Sequence, residues 1–432
     1  MNVCVVGCWH LGSVTAGCVA SFGHHVVGID PDPSVVEGLR RAEPPVAEPG
    51  LPELLAREID GGRLTFSDAR DARDALGDAD VVWITFDTPV GDDDRPYADW
   101  VVTRVDELLP AIARDALVLV SSQLPVGSVS ALERRAREQV PRSALHFATS
   151  PENLRLGSAI EAFLDPPRVV VGVRDHEDRA RIGELLGPLA NRIVWMSVES
   201  AEMTKHALNA FLATCVSFAN ELAVLCERVG ADARDVAAVL RSDPRVGPRA
   251  YVTPGAAFAG GTLGRDVTAL AVLGHGHGLD MHVIEGVRGA NDAHGRWALG
   301  VLEHGLGELR GRTVAILGLT YKPGTDTLRR SAAIDLARAL AERGASVRAH
   351  DPMSEPLPAD VAAVVQRCES PSDAAAGADA IVVMTEWPEY RELDAAALTG
   401  TNRPLVVDAS GFLAASLGGS PRVEYRAVGW RT

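Results

Sequence analysis

MNVCVVGCWHLGSVTAGCVASFGHHVVGID, residues 1–30, runs from a short apolar segment through a glycine turn into a small-residue helix, then into a second apolar segment. The spacing predicts a strand at Val3–Val6, a tight turn from Gly7 to Gly12, and a second strand, His25–Ile29, closed by Asp30. This is the layout of a Rossmann βαβ unit. A pyrophosphate is expected at the helix N-terminus, on the turn made by Gly7, Trp9, His10, Leu11 and Gly12. Asp30, about 20 residues further on, is placed to hold ribose hydroxyls. An acid there, followed by Pro31 with no Arg nearby, favours NAD over NADP. The turn departs from G-x-G-x-x-G at one point: Trp9 stands where the second glycine lets the backbone approach the phosphates. A Rossmann-like domain that has lost its cofactor is the competing reading.

Outward from this unit, further strands each run into a loop: Ala79–Thr85 into Asp87-Thr88-Pro89, Leu117–Ser121 into Gln123-Leu124-Pro125-Val126-Gly127, and Leu145–Thr149 into Ser150-Pro151-Glu152-Asn153-Leu154. Ligands of open α/β sheets bind at the carboxyl ends of strands, so these loops are expected to face the cofactor. Glu152 is a candidate acid or base there, although a lone loop Glu is ordinarily just solvated. Arg95–Asp99 reads as part of a polar surface loop.

The remainder bounds the class of protein. A chain of 432 residues corresponds to two or three domains at roughly 150 residues each. Net charge is −16, which argues against a nucleic-acid partner. Six cysteines lie without C-x-x-C or finger spacing, so neither a disulfide framework nor a metal site is expected. No apolar run approaches the ~18 residues of a membrane span. Strand pattern begins at Val3, with no basic leader before it. A cytoplasmic metabolic protein with no membrane partner is expected.

The pattern turns helical after Trp195 and stays so to about Leu302. Residues 201–230, AEMTKHALNAFLATCVSFANELAVLCERVG, predict one long, nearly all-apolar helix with Lys205, Asn209 and Asn220 on roughly one face. Alone, these read equally as satisfied structural groups or as a site. The Gly- and Pro-rich loop from Asp243 to Asp266 carries Arg245, Arg249 and Arg265, suited to phosphate; an ordinary surface loop is the alternative. His275 and His277 read as loop histidines, not metal ligands. From Arg312 strand and helix alternate again, predicting a second α/β domain whose first loop carries Lys322, Arg329 and Arg330. The expected domains are 1–196, 197–302 and 311–432: two Rossmann-like doubly wound α/β domains joined by a helical one.

Many segments resemble, in order, one family: the UDP-glucose/GDP-mannose dehydrogenases. They are EPGLPELL (48–55), Thr88-Pro89, Pro125-Val126-Gly127, Ser150-Pro151-Glu152, Glu202, Lys205, Asn209, Asn220-Glu221, Asp243-Pro244-Arg245, Pro254-Gly255, Gly260-Gly261, Tyr321-Lys322-Pro323, Thr325-Asp326, Arg329, Ser331 and Thr385-Glu386-Trp387-Pro388. The resemblance implies an N-terminal NAD-binding domain, a central helical domain that forms a homodimer, and a C-terminal nucleotide-sugar domain. It implies catalytic roles for Lys205, Asn209, Asp266, Glu152 and Gln123. Thr88, Pro89, Arg265 and Arg329 join the cofactor site. Asn153, Leu154, Arg155, Arg245, Phe258, Gly260, Gly261 and Lys322 would bind the nucleotide sugar, with Arg245 reaching the neighbouring subunit's site.

The resemblance also implies oxidation of a sugar CH2OH in two NAD-dependent steps, the second through a Cys thioester. Here the chain departs from the pattern. The family's GG-S-C-x-P-K-D segment reads Gly260-Gly261-Thr262-Leu263-Gly264-Arg265-Asp266, one residue shorter, with Leu263 at the nucleophile position. Arg265 replaces Lys, Leu156 a second loop acid, and Gln123 a Thr. The expected activity is therefore a two-electron NAD-dependent oxidation of a nucleotide-sugar alcohol to an aldehyde or ketone. Four-electron oxidation through an aldehyde hydrate and a non-catalytic nucleotide-sugar-binding protein are the alternatives.

Overall fold

A computed structural model of the 432-residue chain describes all residues except 69–71, 90, 92–96, 153, 327, 329, 354–355, 396–402 and 431–432. The chain forms two compact units, Met1–Leu208 and Asn209–Thr432. In the first, eight strands are described: β1 Asn2–Val6, β2 His25–Asp30, β3 Leu64–Asp68, β4 Val81–Ile84, β5 Leu117–Val120, β6 His146–Thr149, β7 Val169–Gly172 and β8 Ile193–Met196. They line up in the order β3-β2-β1-β4-β5-β6-β7-β8, parallel throughout except between β6 and β7. Strands buried on both faces need unbroken apolar runs. β4 (VVWI) and β5 (LVLV) are such runs, and every residue in them is buried.

The second unit repeats the plan. β9 Thr313–Leu317, β10 Ser346–His350, β11 Val365–Arg367, β12 Ala380–Val383, β13 Leu405–Asp408 and β14 Glu424–Arg426 form a parallel sheet in the order β11-β10-β9-β12-β13-β14. Both sheets thus start from a central strand and reverse direction beside it, the doubly wound arrangement that opens a crevice at the strands' carboxyl ends. The same device closes both first strands. Gly7 takes φ +94° and Gly318 φ +89°, a backbone conformation that a side chain would strain. Gly7 N–H donates to Ile29 O and Gly318 N–H to His350 O, each at 2.8 Å.

The central helix runs Val198–Val229, three residues earlier than the sequence pattern indicated, and the two units divide within it. By length and composition it could cross a membrane, with an 18-residue window of mean hydropathy 1.5. Its buried polar side chains instead find protein partners, as a core helix requires. Glu202 accepts from Gly127 and Val129 N–H at 2.7 and 2.9 Å, and His206 Nε2 bonds Leu124 O at 3.0 Å. After the helix Ala233–Ser242, the Gly- and Pro-rich segment ends earlier than its composition suggests. Gly260–Gly264 closes into a π-helical turn and Arg265–Gly276 is helical. His275 is accordingly on a helix, not in a loop, and pairs with Glu285 at 3.0 Å.

Candidate functional site

In the first unit the turn after β1 feeds the helix His10–Ser21. A Cβ on Gly7 would lie 2.5 Å from the Phe86 ring, and one on Gly12 would overlap the Gly7 carbonyl oxygen. Both glycines are therefore required for the helix to sit this tightly on the strand. The helix has no acidic residue in its first turn and no side-chain cap. Its positive end is thus left to an anion, which fits a dinucleotide pyrophosphate. Trp9 stands at the N-cap and is 47 % exposed. His10 Nε2 bonds Glu48 at 2.9 Å, and Leu11 is buried. Asp30 closes β2 and is buried; Cys8 N–H and Asp32 N–H donate to its two oxygens at 2.7 and 2.9 Å. Burial pushes its carboxyl up from the ordinary value, and these two donors hold it back.

Glu48 is a residue whose role the sequence reading passed over, although EPGLPELL contained it. It is buried and takes Gly157 and Ala159 N–H at 2.9 Å each, besides His10. Desolvation alone would raise its pKa, but these three donors hold it below the ordinary value. It therefore ties the segment after Glu152 to the start of the helix His10–Ser21. The signal available was an acid placed directly before a helix start, Pro-Gly-Leu-Pro.

The loops after β5 and β6 line a small cavity of about 20 Å³ together with the first turns of the central helix, about the room an ordered water needs. Gln123, Glu152, Lys205 and His206 are in its wall. Thr88 Oγ1 donates to Gln123 O at 2.8 Å, and Pro89 O accepts Tyr97 N–H at 2.8 Å. Lys205 Nζ donates to the Glu152 carbonyl at 2.8 Å and lies 3.7 Å from its carboxylate. The Glu152 carboxylate also accepts Leu154 N–H at 2.6 Å. Leu154 packs on the apolar core, and Arg155 is exposed. Asn153 lies outside the described residues, as does Arg329. Glu202, buried behind the same loop, holds Gly127 and Val129 by their N–H groups. Burial pushes its carboxyl up, against those two bonds.

In the second unit, Asn209 Nδ2 donates to the carboxylate of Asp266, and both residues are buried. Asp266 and its neighbour Arg265 occupy the first turn of the helix Arg265–Gly276. Leu263, in the π-helical turn with Gly260 and Gly261, packs on a core of Ala210, Ala213, Val267, Leu270 and Val287. The preceding loop is clamped by side chains the sequence reading missed. Asn291 accepts Phe258 N–H and donates to Phe258 O at 2.9 and 3.0 Å, while His294 Nε2 donates to Gly255 O at 2.8 Å. Asn220 joins them, accepting Gly255 N–H at 2.9 Å, so its amide is structural. Arg245 is 89 % exposed and paired with Asp243 at 2.7 Å. Lys322 Nζ lies 5.4 Å from the Tyr321 ring centre. Beyond β10, Asp351 takes Leu319 and Thr320 N–H at 2.7 and 2.9 Å, repeating Asp30's place in the first unit.

Models of the family match the chain almost from end to end. The UDP-glucose/GDP-mannose dehydrogenase NAD-binding domain covers residues 1–190, the central domain 199–293 and the UDP-binding domain 315–415. The chain belongs to the UDP-glucose/GDP-mannose dehydrogenase family. It is accordingly an NAD-dependent oxidoreductase acting on nucleotide sugars. The UDP-glucose 6-dehydrogenase of Rhizobium meliloti is 36 % identical, covering 94 % of each chain. That of Pseudomonas aeruginosa is 35 % identical, over 99 % of this chain and 97 % of its own. A UDP-glucose dehydrogenase from Pyrobaculum islandicum superposes with a TM-score of 0.85 at 33 % identity, over 99 % of this chain and 97 % of that one.

Proposed function

We propose that this enzyme oxidises one alcohol of a UDP-hexose, at carbon 6, by a single two-electron step, releasing an aldehyde. The carrying observation is Leu263, whose side chain belongs to an apolar cluster where the family's pattern has its thiol. Burial pushes the thiols of Cys4, Cys8, Cys18, Cys215 and Cys368 up from the ordinary value, whereas a nucleophilic thiolate needs the opposite shift. UDP and carbon 6 are carried over from the names of the relatives and from the matched UDP-binding model.

NAD would be held by the Gly7–Gly12 turn at its pyrophosphate and by Asp30 at its ribose, within residues 1–196. The nucleotide sugar would be held by residues 311–432, with Lys322 and Arg329 toward phosphate. NAD held at the Gly7–Gly12 turn would supply the acceptor for the hydride of the carbinol carbon. Lys205 donates a hydrogen bond to the oxygen as it loses its proton, and an ordered water beside Glu152 takes that proton. Asn209 and Asp266 position the reacting alcohol. Residues 197–302 form the contact of a homodimer, supported by Phe211, Phe218 and Leu225, which are 66 %, 52 % and 56 % exposed and recur every seven residues on one helix. The cytoplasm is the proposed compartment, in keeping with six free cysteines. The test is a spectrophotometric screen for NADH over a panel of nucleotide sugars with mass analysis of product. A carboxylate product, or equal activity with NADP, would overturn this reading in its respective part.

A further inference from the structure

One buried carboxylate, Glu48, stands between the glycine turn and the loop that carries Glu152. His10 is the first residue of the helix His10–Ser21. An ionised carboxylate only accepts, so His10 Nε2 is the donor across the 2.9 Å between them. His10 and Gly157 N–H share Oε2, while Ala159 N–H takes Oε1. Trp9, at the N-cap of the first helix, makes no side-chain cap bond. Ser158, at the N-cap of the helix Ala159–Leu164, makes none either. Glu48 thus reaches in from a third segment and holds both helix starts.

From Glu48 the contacts continue to Lys205. Gly157 takes φ +93°, a conformation that favours glycine, and Ser158 N–H closes a turn on Arg155 O at 3.0 Å. Leu154 N–H donates to the Glu152 carboxylate at 2.6 Å, and Lys205 Nζ to the Glu152 carbonyl at 2.8 Å. Because one oxygen carries both His10 and Gly157, a shift of the glycine turn reaches the Glu152 loop through a single atom. Taking a donor from a buried carboxylate is costly, so the two sides move together.

We propose that the Glu48–His10 pair is a positioning device for the oxidation, fixing the glycine turn, and NAD upon it, against Glu152 and Lys205. It rests on the reading above that NAD lies on the Gly7–Gly12 turn and Lys205 beside the reacting alcohol. Glu48 acts through His10 and the Glu152 loop, as a positioning residue. Hydride transfer needs donor and acceptor carbons close to contact, and a displacement of about 1 Å costs on the order of 100-fold. An amide cannot stand in for Glu48. Its NH2 would meet Gly157 N–H at the place of Oε2, or Ala159 N–H at the place of Oε1.

The test uses the whole enzyme with a nucleotide sugar that yields NADH. It reads kcat, KM for the sugar and the dissociation constant of NAD, with thermal melting in parallel. His10→Phe keeps a ring and removes the donor. It is expected to weaken NAD binding severalfold and to lower kcat roughly 10-fold or more, with KM for the sugar little changed. His10→Gln keeps an N–H donor near the Nε2 position and is expected to restore both to within about threefold of wild type. Glu48→Gln is expected to lose at least as much as His10→Phe, and carries the same readings should His10→Phe not fold. In the double variant with Lys205→Ala, the fall in kcat is expected to be clearly less than the product of the two single losses, because the pair acts through that group. Wild-type values in His10→Phe would overturn the proposal and leave Glu48 a structural clamp. So would equal losses in His10→Gln and His10→Phe, or a fully multiplicative loss in the double variant. Lys205→Ala as active as wild type would instead overturn the catalytic reading of Lys205, and NAD binding by the His10 variants would still decide whether the pair fixes the turn.

Discussion

Lys205 is fixed from two sides, by the Glu152 carbonyl at 2.8 Å and by the Glu152 carboxylate at 3.7 Å. An ammonium held in place needs no reorganisation when charge develops on a nearby oxygen, and one such donor is worth about 100-fold in turnover or more. Lys205→Ala is therefore expected to lower kcat by about that factor while the melting temperature is kept. A fall of less than severalfold would make Lys205 structural. Asp351 yields a prediction in pH. Burial alone would raise its carboxyl, but Thr320, Met353 and Leu319 N–H and the Thr320 hydroxyl hold it below the ordinary value. The folded chain thus binds that proton less tightly than the unfolded chain. The stabilisation is full above about pH 4, the ordinary Asp range, and fades as pH falls through the lower folded value. Asp351→Asn is expected to cost roughly 1–3 kcal/mol at neutral pH. The gap to wild type in urea melts should narrow below about pH 4. A constant gap across that range would contradict the assignment. Lys205 and Asp30 were singled out by residue type and spacing. Asp351 was not, because an acid closing a strand is common and its ring of donors is assembled only by folding.

The central helix was legible from its Ala/Leu content and lack of Gly and Pro, and its ends differ from the pattern by a few residues. The exposed stripe of Phe211, Phe218 and Leu225 is a feature of that element. Apolar side chains recurring every seven residues on one helix form the seam by which helices pair. The double variant Phe211→Glu with Phe218→Glu is expected to convert a homodimer into a monomer by light scattering at micromolar concentration, with the far-ultraviolet helix signal kept. A monomeric wild type would sink the dimer outright. The segment Gly260–Gly264 shows the limit of local reading. Its glycines suggested a loop through Asp266, but Asp266 is drawn inward to Asn209, and the backbone before it winds into a π-helical turn. Such turns tend to mark functional sites.

At the scale of the molecule, the proposed outcome is a stoichiometry. With excess NAD and limiting enzyme-bound sugar, single turnover should produce one NADH per substrate and an aldehyde trapped by a hydrazine reagent. Two NADH and a carboxylate would establish the hydrate route instead. Leu263→Cys is expected not to restore acid formation, since the new thiol would sit against Ala210, Val267 and Leu270, a setting that raises a thiol's pKa. Acid formation by this single variant would show that Leu263 alone separates this enzyme from a four-electron one.

The two doubly wound sheets, the glycine turn after the first strand and the family were fixed by local pattern. Strands buried on both faces must be apolar, a strand-to-helix turn this tight must be glycine, and both demands are written in consecutive residues. The carboxylates' partners were decided only by the tertiary structure. Glu48 meets Gly157 and Ala159 across more than a hundred residues, Glu202 meets Gly127 and Val129, and His146 meets Asp178. A buried charge takes whatever donors the fold brings within about 3 Å, and contacts between distant segments leave no periodic trace along the chain.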